Sequence, residues 1–198
     1  MRNSITLFPL LILLWCINSN QLLASKTDSL EMVLDTIQDA TRKADKLSEY
    51  GVGSFRTDME LASSYLHRAL ELSQTHNYPD GAAKALLYLG VISFKQNKLP
   101  DCVEFTTRAA VKYNEAGDTA SQALANFQMG IYYYHKSLFE KSISAYLKAQ
   151  KVYEAIDDSV KVGNCLNNIG LIYYQLEKYS KAKTYWEESL EILKDKGN

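Results

Sequence analysis

Residues 166–186 read LNNIGLIYYQLEKYSKAKTYW. A glycine, Gly170, sits inside an apolar run. A small residue, Ala182, follows it at a distance of twelve positions, and a large aromatic, Trp186, at sixteen. The same arrangement stands 40 residues earlier around Gly130, with Ser142 and Tyr146, and 40 earlier again around Gly90, with Cys102 and Thr106. Each glycine is preceded by an apolar residue: Leu89, Met129 or Ile169. Nineteen positions after each glycine come Ala109, Ala149 and Ser189; five before come Ala85, Ala125 and Cys165. Two antiparallel helices approach closely where side chains are small. The glycines and the small residues after them therefore mark where one helix of a pair meets the other. Large residues such as Tyr146 and Trp186 fill the space between. A lone helical hairpin cannot bury its apolar faces, so successive hairpins must stack into a solenoid.

Leu166, Ile169, Gly170, Tyr173, Ala182 and Trp186 follow the order of the tetratricopeptide signature, Trp-x2-Leu-Gly-x2-Tyr and then Ala-x3-Phe. The chain resembles that family. The period of 40 exceeds the usual 34, and Asn114, Glu154 and Lys194 stand where the family ends its second helix with proline. This is similar to the long repeats of kinesin light chains and of bacterial regulatory proteins. The resemblance implies an all-α fold, a right-handed superhelical solenoid of antiparallel helix pairs.

Three repeats are expected at 83–122, 123–162 and 163–198, with helix A of each N-capped near Asp80, Thr119 and Ser159. Pro100 suits the first turn of its helix B, where a missing N–H is harmless. Residues 25–82 read as an atypical N-terminal capping hairpin. Its first helix follows the apolar stripe Leu30, Val33, Leu34, Ile37, Ala40, Ala44 and Leu47. That helix would open on the capping box Asp28-x-x-Glu31 and end before Gly51-Val52-Gly53. The second helix lies near 56–76, where Leu66, Ala69 and Leu70 precede Thr106, Ala109 and Ala110 by 40.

The first 24 residues read as a signal peptide. Arg2 is followed by an almost unbroken apolar run, Ile5 to Ile17, too short for the ~20 residues that span a bilayer. Cleavage is expected after Ala24, with a site after Ser19 as the alternative. An uncleaved anchor and a lipoprotein modified at Cys16 are the competing readings; Trp15 before that cysteine is larger than lipidation favours. The chain is thus expected to be exported, periplasmic or secreted, with no stable membrane span after cleavage.

The 198 residues carry 22 basic and 23 acidic side chains, a net charge of −1, with the signs interspersed. No basic stripe points to nucleic acid. No phosphate loop, no His-Glu-x-x-His, no Gly-x-Ser-x-Gly and no paired-cysteine spacing is present, so neither catalytic residues, metal ligands nor cofactor are assigned. His67 and His135 read as ordinary helix residues. Cys102 and Cys165 occupy small-residue slots in repeats that are not neighbours, so no disulfide is expected between them. Tyr133, Tyr146, Tyr153, Tyr173 and Tyr179 read as core.

The resemblance also implies where a ligand sits. In this family helix A lines the concave groove, through positions six before, three before, one after, four after and five after the repeat glycine. Here these are Lys84, Leu87, Val91, Phe94 and Lys95, then Leu124, Phe127, Ile131, Tyr134 and His135, then Asn164, Asn167, Leu171, Tyr174 and Gln175. Asn168 joins them, because kinesin-light-chain repeats carry similar asparagines that hold peptide main chain. Aromatic walls and amides suit an extended or amphipathic peptide. A groove filled by the chain's own next segment or by a second copy is the competing reading. The functional expectation is an exported module that binds a protein or peptide, the sensory part of a bacterial envelope signalling protein. The alternative is a stand-alone periplasmic scaffold for envelope assembly. On the last helix Ile192 is expected to point outward, offering a surface for self-association or for a continuing repeat.

Overall fold

The computed structural model describes residues 31–194. Among these, a short helix α1 (described over 31–36) precedes α2 (Ala40–Ser54), α3 (Met59–Thr75), α4 (Pro79–Lys95), α5 (Leu99–Ala116), α6 (Thr119–His135), α7 (Phe139–Ala155), α8 (Ser159–Gln175) and α9 (Tyr179–Lys194), and no strand occurs. The helices pair as α2 with α3, α4 with α5, α6 with α7, and α8 with α9. Each second helix also packs on the first helix of the next pair. This is the stacked-hairpin solenoid that the 40-residue period demands.

The hairpins close where the small residues fall. A Cβ on Gly130 would lie 2.6 Å from the Tyr146 ring, one on Gly170 2.5 Å from Trp186 Nε1, and one on Gly90 2.5 Å from Thr106 Oγ1. Cys102, Ser142, Ala182, Ala109 and Ala149 are all fully buried at these contacts. Ser142 Oγ donates to the Gly130 carbonyl at 2.7 Å, and Trp186 Nε1 donates to the Asn167 carbonyl at 3.2 Å. Full burial of a large apolar side chain contributes about 1.5–3 kcal/mol, so each hairpin owes much of its stability to residues at these few slots.

The turns share the period. Asn77, Gly117 and Asp157 join one pair to the next, and Asn97, Ser137 and Glu177 join the helices within a pair; all six have positive φ, between 51° and 74°. In each, the amide after the left-handed residue bonds back to a carbonyl five residues earlier, as Lys98 does to Ser93 and Asp158 to Tyr153. Such αL closures satisfy the carbonyls that a helix end leaves free.

Several expectations need correction. The first helices of the repeats begin at Pro79, Thr119 and Ser159. The capping side chains are Asp118 and Asp158, one residue before those expected; Asp80 lies in the first turn of α4, whose cap Tyr78 makes no side-chain bond. In the N-terminal hairpin the apolar stripe is cut at 37–39, where Asp39 caps a new helix through the amides of Thr41 and Arg42. Gly51 and Gly53 then lie inside α2 rather than in a loop. Gly51 makes the repeat contact: its Cβ would fall 2.7 Å from Leu66 Cγ and 3.1 Å from the Ala62 carbonyl. Asp28 lies outside the described residues. Glu31 instead pairs with Arg68 of α3 at 2.5 and 3.1 Å. Tyr146 and Tyr153 are buried, Tyr133 and Tyr173 half-buried, and Tyr179 is 58% exposed, because it sits on the first turn of α9 rather than between helices. Ile192 packs against the core, whereas Leu190 is 53% exposed; Leu190 takes the slot of Ala110 and Gln150, on the flank of the second helix.

Candidate peptide-binding surface

The first helices α4, α6 and α8 carry the expected groove positions. At 3.6 residues per turn, offsets of −6, −3, +1, +4 and +5 from the repeat glycine gather on one side of each helix. The structure grades that side steeply along the array. On α4, Leu87 is buried in the core and is closed to a ligand, Lys84 and Phe94 are half-buried, and Lys95 is exposed. Phe94 is covered from α6, with ring centroids 4.7 Å from Tyr132 and 5.3 Å from His135.

On α6, Phe127 lies edge-on to Tyr146 at 5.3 Å, and Tyr134 packs on Phe139 at 6.1 Å; both are half-buried against the core. On the side where a groove is expected, they also support the fold. His135 is exposed beside Tyr134. On α8 the surface opens. Asn164, Asn167, Tyr174 and Gln175 are exposed, and Leu171 is half-buried. Asn168 is half-buried and turned along its own helix, donating to the Asn164 carbonyl at 2.8 Å. Its amide is therefore already partnered, unlike that of Asn167. Tyr174 is 49% exposed and packs between Tyr179 and Trp186, at centroid distances of 5.5 and 5.8 Å. The result is an aromatic shelf with exposed carboxamides about two and three turns before it.

Residues 112–195 match the family model described as tetratricopeptide repeat. The fold is a tetratricopeptide-like helical solenoid. Solved structures agree. BtubC (BKLC) from P. vanneervenii superposes with a TM-score of 0.77 at 17% identity, over 88% of this chain and 75% of that one. Aspartyl phosphate phosphatase F from Bacillus subtilis gives 0.76 at 16% identity, over 83% of this chain and 44% of that one. A signal transduction ATPase with a tetratricopeptide repeat sensor, from Pyrococcus horikoshii, gives 0.74 at 20% identity, over 82% of this chain and 25% of that one. No curated protein matches the sequence significantly. The chain thus spans most of the first of these structures and less than half of the other two. At such identities the likeness is one of fold.

Arrays of this family serve as protein-interaction modules, and the exposed side chains here fit that use. Among the described residues no group of three or more His, Cys, Asp or Glu is placed to hold a metal, and no helix is long and apolar enough to cross a membrane. Cys102 and Cys165 are free and buried, and burial pushes each thiol up to about 12. Thiols held neutral in this way are inert as nucleophiles. Sequence reasoning missed the role of Tyr132: two positions after Gly130, where the other repeats place Ile92 and Ile172, it is fully buried and pins α6 to α4 through Phe94.

Proposed function

We propose that this chain is an exported interaction module that holds an extended segment of a partner protein on its concave face, as the sensory part of an envelope signalling protein. The observation that carries the reading is the α8 surface, where exposed Asn164 and Asn167 share one helix face with the Tyr174 shelf, about three and two turns before it. Carboxamides pair with peptide main chain and an aromatic shelf takes an apolar side chain, which together make an extended peptide a better ligand than a small molecule. The half-buried Phe127 and Tyr134 continue that face on α6. The use of the same solenoid as the sensor of a signal transduction ATPase supports the signalling role. The apolar, uncharged stretch after Arg2 supports export.

The test is a pull-down from envelope extract with residues 25–198 as bait. Asn167→Ala with Tyr174→Ala should lose the specific partner while the helical circular dichroism stays unchanged, because both side chains are exposed. Full retention of the partner by that double variant would sink the reading. Phe127→Ala with Tyr134→Ala is a poorer test, since both residues also support the core. Export is checked separately by the N-terminal mass of the mature protein, which should begin at Ser25.

A further inference from the structure

The central repeat departs from its neighbours on the side of α6 that faces away from the concave groove. Positions −8, −4 and −1 from the repeat glycine face the two flanking second helices. On α4 they are Ala82, Leu86 and Leu89, and on α8 Val162, Leu166 and Ile169, all at most 4% exposed. On α6 they are Gln122, Asn126 and Met129, all partly open to solvent. The apolar core divides at this helix: one cluster of buried residues ends with Tyr113 and Ala125, and another begins with Ala123 and Tyr146. In place of a closed floor there is a cleft of about 820 Å³ between α5 and α7, with α6 at its base. Going round α6 at about 100° per residue, this face lies roughly 160° from the groove positions.

The cleft has a chemical character. Lys141, Lys148 and Lys151 line its α7 wall. The corresponding positions are Asp101, Arg108 and Val111 on α5 and Lys181, Glu188 and Glu191 on α9, so a row of three cations belongs to α7. Among the described residues the ion pairs involve other side chains, and none of these three lysines has a carboxylate within 4.0 Å. Lys141 lies 5.8 Å over the Tyr133 ring, and Glu140 is the one acid on the lining. At 1.5 Å per residue the row extends about 15 Å, the reach of four to five residues of extended chain. On the floor, Asn126 Nδ2 donates to the Gln122 carbonyl at 3.2 Å; among the described residues neither Asn126 Oδ1 nor the Gln122 side-chain amide has a hydrogen-bond partner, and both residues line the cleft. Val111 and Val152 add apolar patches on the two walls.

We infer that this outer cleft is a second binding site, for an acidic extended segment of a partner protein, with its carboxylates on the α7 lysine row and its main chain on the amides of Gln122 and Asn126. Charge complementarity selects the segment and the carboxamide floor sets its register. The site stands apart from the concave face and does not depend on what binds there.

The test uses residues 25–198 and a fluorescein-labelled decapeptide of alternating glutamate and valine, read by fluorescence anisotropy at low ionic strength. Saturable binding is expected, with none for the lysine–valine counterpart. Lys148→Glu with Lys151→Glu, both exposed, should weaken binding by about tenfold or more. Gln122→Val with Asn126→Leu restores the floor of the neighbouring repeats; it should also abolish binding while the melting temperature holds or rises, which separates loss of the site from loss of the fold. Asn167→Ala with Tyr174→Ala should leave binding unchanged. Absence of binding overturns the inference, as does indifference to the Gln122/Asn126 pair, which would reduce the effect to general attraction between charges. Equal displacement by inorganic polyphosphate, with the floor variant still binding, overturns it on the same ground. Loss of binding in the Asn167/Tyr174 pair would move the peptide to the concave face.

Discussion

Gly130 shows how narrow the tolerance is at a single residue. The place of its missing side chain is occupied by the Tyr146 ring, which is itself held edge-on by Phe127, while Ser142 holds its carbonyl. Nothing around it can yield cheaply. Gly130→Ala should cost about 1–3 kcal/mol, the usual range for overpacking, and Gly130→Leu should melt the middle of the array. Gly53 is the control. It lies in the last turn of α2, and a Cβ there would meet nothing within 4 Å. Gly53→Ala should therefore stabilise by about 0.4–1 kcal/mol through the unfolded state. Thermal melts of both variants check the pair; equal effects would show that the hairpin register is wrong. The two cysteines give a chemical counterpart. With each thiol pushed up to about 12 by burial, neither should react with a disulfide reagent in folded residues 25–198, and both should react in denaturant. The linkage sign follows. Near pH 7 the thiols are neutral folded and unfolded and contribute no pH dependence; above about 9 the unfolded chain ionises first, so stability falls as pH rises toward 12. Rapid native labelling at pH 8 would contradict the burial of both slots.

At the scale of an element, the turns carry a strain that the helices do not. Ser137 and Glu177 occupy the left-handed conformation at φ 57° and 58°, where a side chain costs about 1–2 kcal/mol. Gly117 occupies the equivalent turn between pairs at φ 74°, with open space around it. Ser137→Gly should therefore raise stability by up to about 1 kcal/mol and Gly117→Ala lower it by a similar amount. Chemical denaturation of the two variants reads both signs, and a destabilised Ser137→Gly would mean that its side chain supports the turn. These turns explain what the sequence conceals. Helix contacts repeat in residue type, so Gly90, Gly130 and Gly170 are visible at once. The turns repeat in conformation but not in residue type: asparagine, serine, aspartate and glutamate all serve, and Gly117 alone advertises itself. The N-terminal hairpin misleads for a related reason. A break of three residues at 37–39 nearly preserves the helical phase, so the stripe from Leu30 to Leu47 looks continuous across it. Gly51, one place out of register and followed closely by Gly53, looks like a breaker when it is a contact.

For the whole molecule the same limit applies to binding. The concave positions follow from the repeat, but their accessibility does not, because it depends on what packs against each one. Leu87 is core and Tyr174 is shelf although they belong to one set of positions. The outer cleft was less legible still, since Gln122, Asn126 and Met129 gain meaning only when the packing shows that Ala82, Leu86 and Leu89 at the same slots are buried. That departure has a mechanical consequence. In a solenoid, stability is approximately a sum of repeat terms and nearest-neighbour interfaces, and a weak interface divides the cooperative unit. Here the weak place is α6, where one buried cluster gives way to the next. Native-state hydrogen exchange should therefore show two cooperative groups of amides, one running through α3, α4 and α5 and the other through α7, α8 and α9, opening with different free energies. The N-terminal group should be the more protected, because its cluster joins Leu66, Leu86, Leu89 and Tyr113 in one continuous body. Gln122→Val with Asn126→Leu should merge the two groups by supplying the missing apolar floor. A single opening free energy across α3 to α9 in the unaltered protein would show that α6 transmits packing as well as its neighbours do, and that the cleft leaves the array mechanically whole.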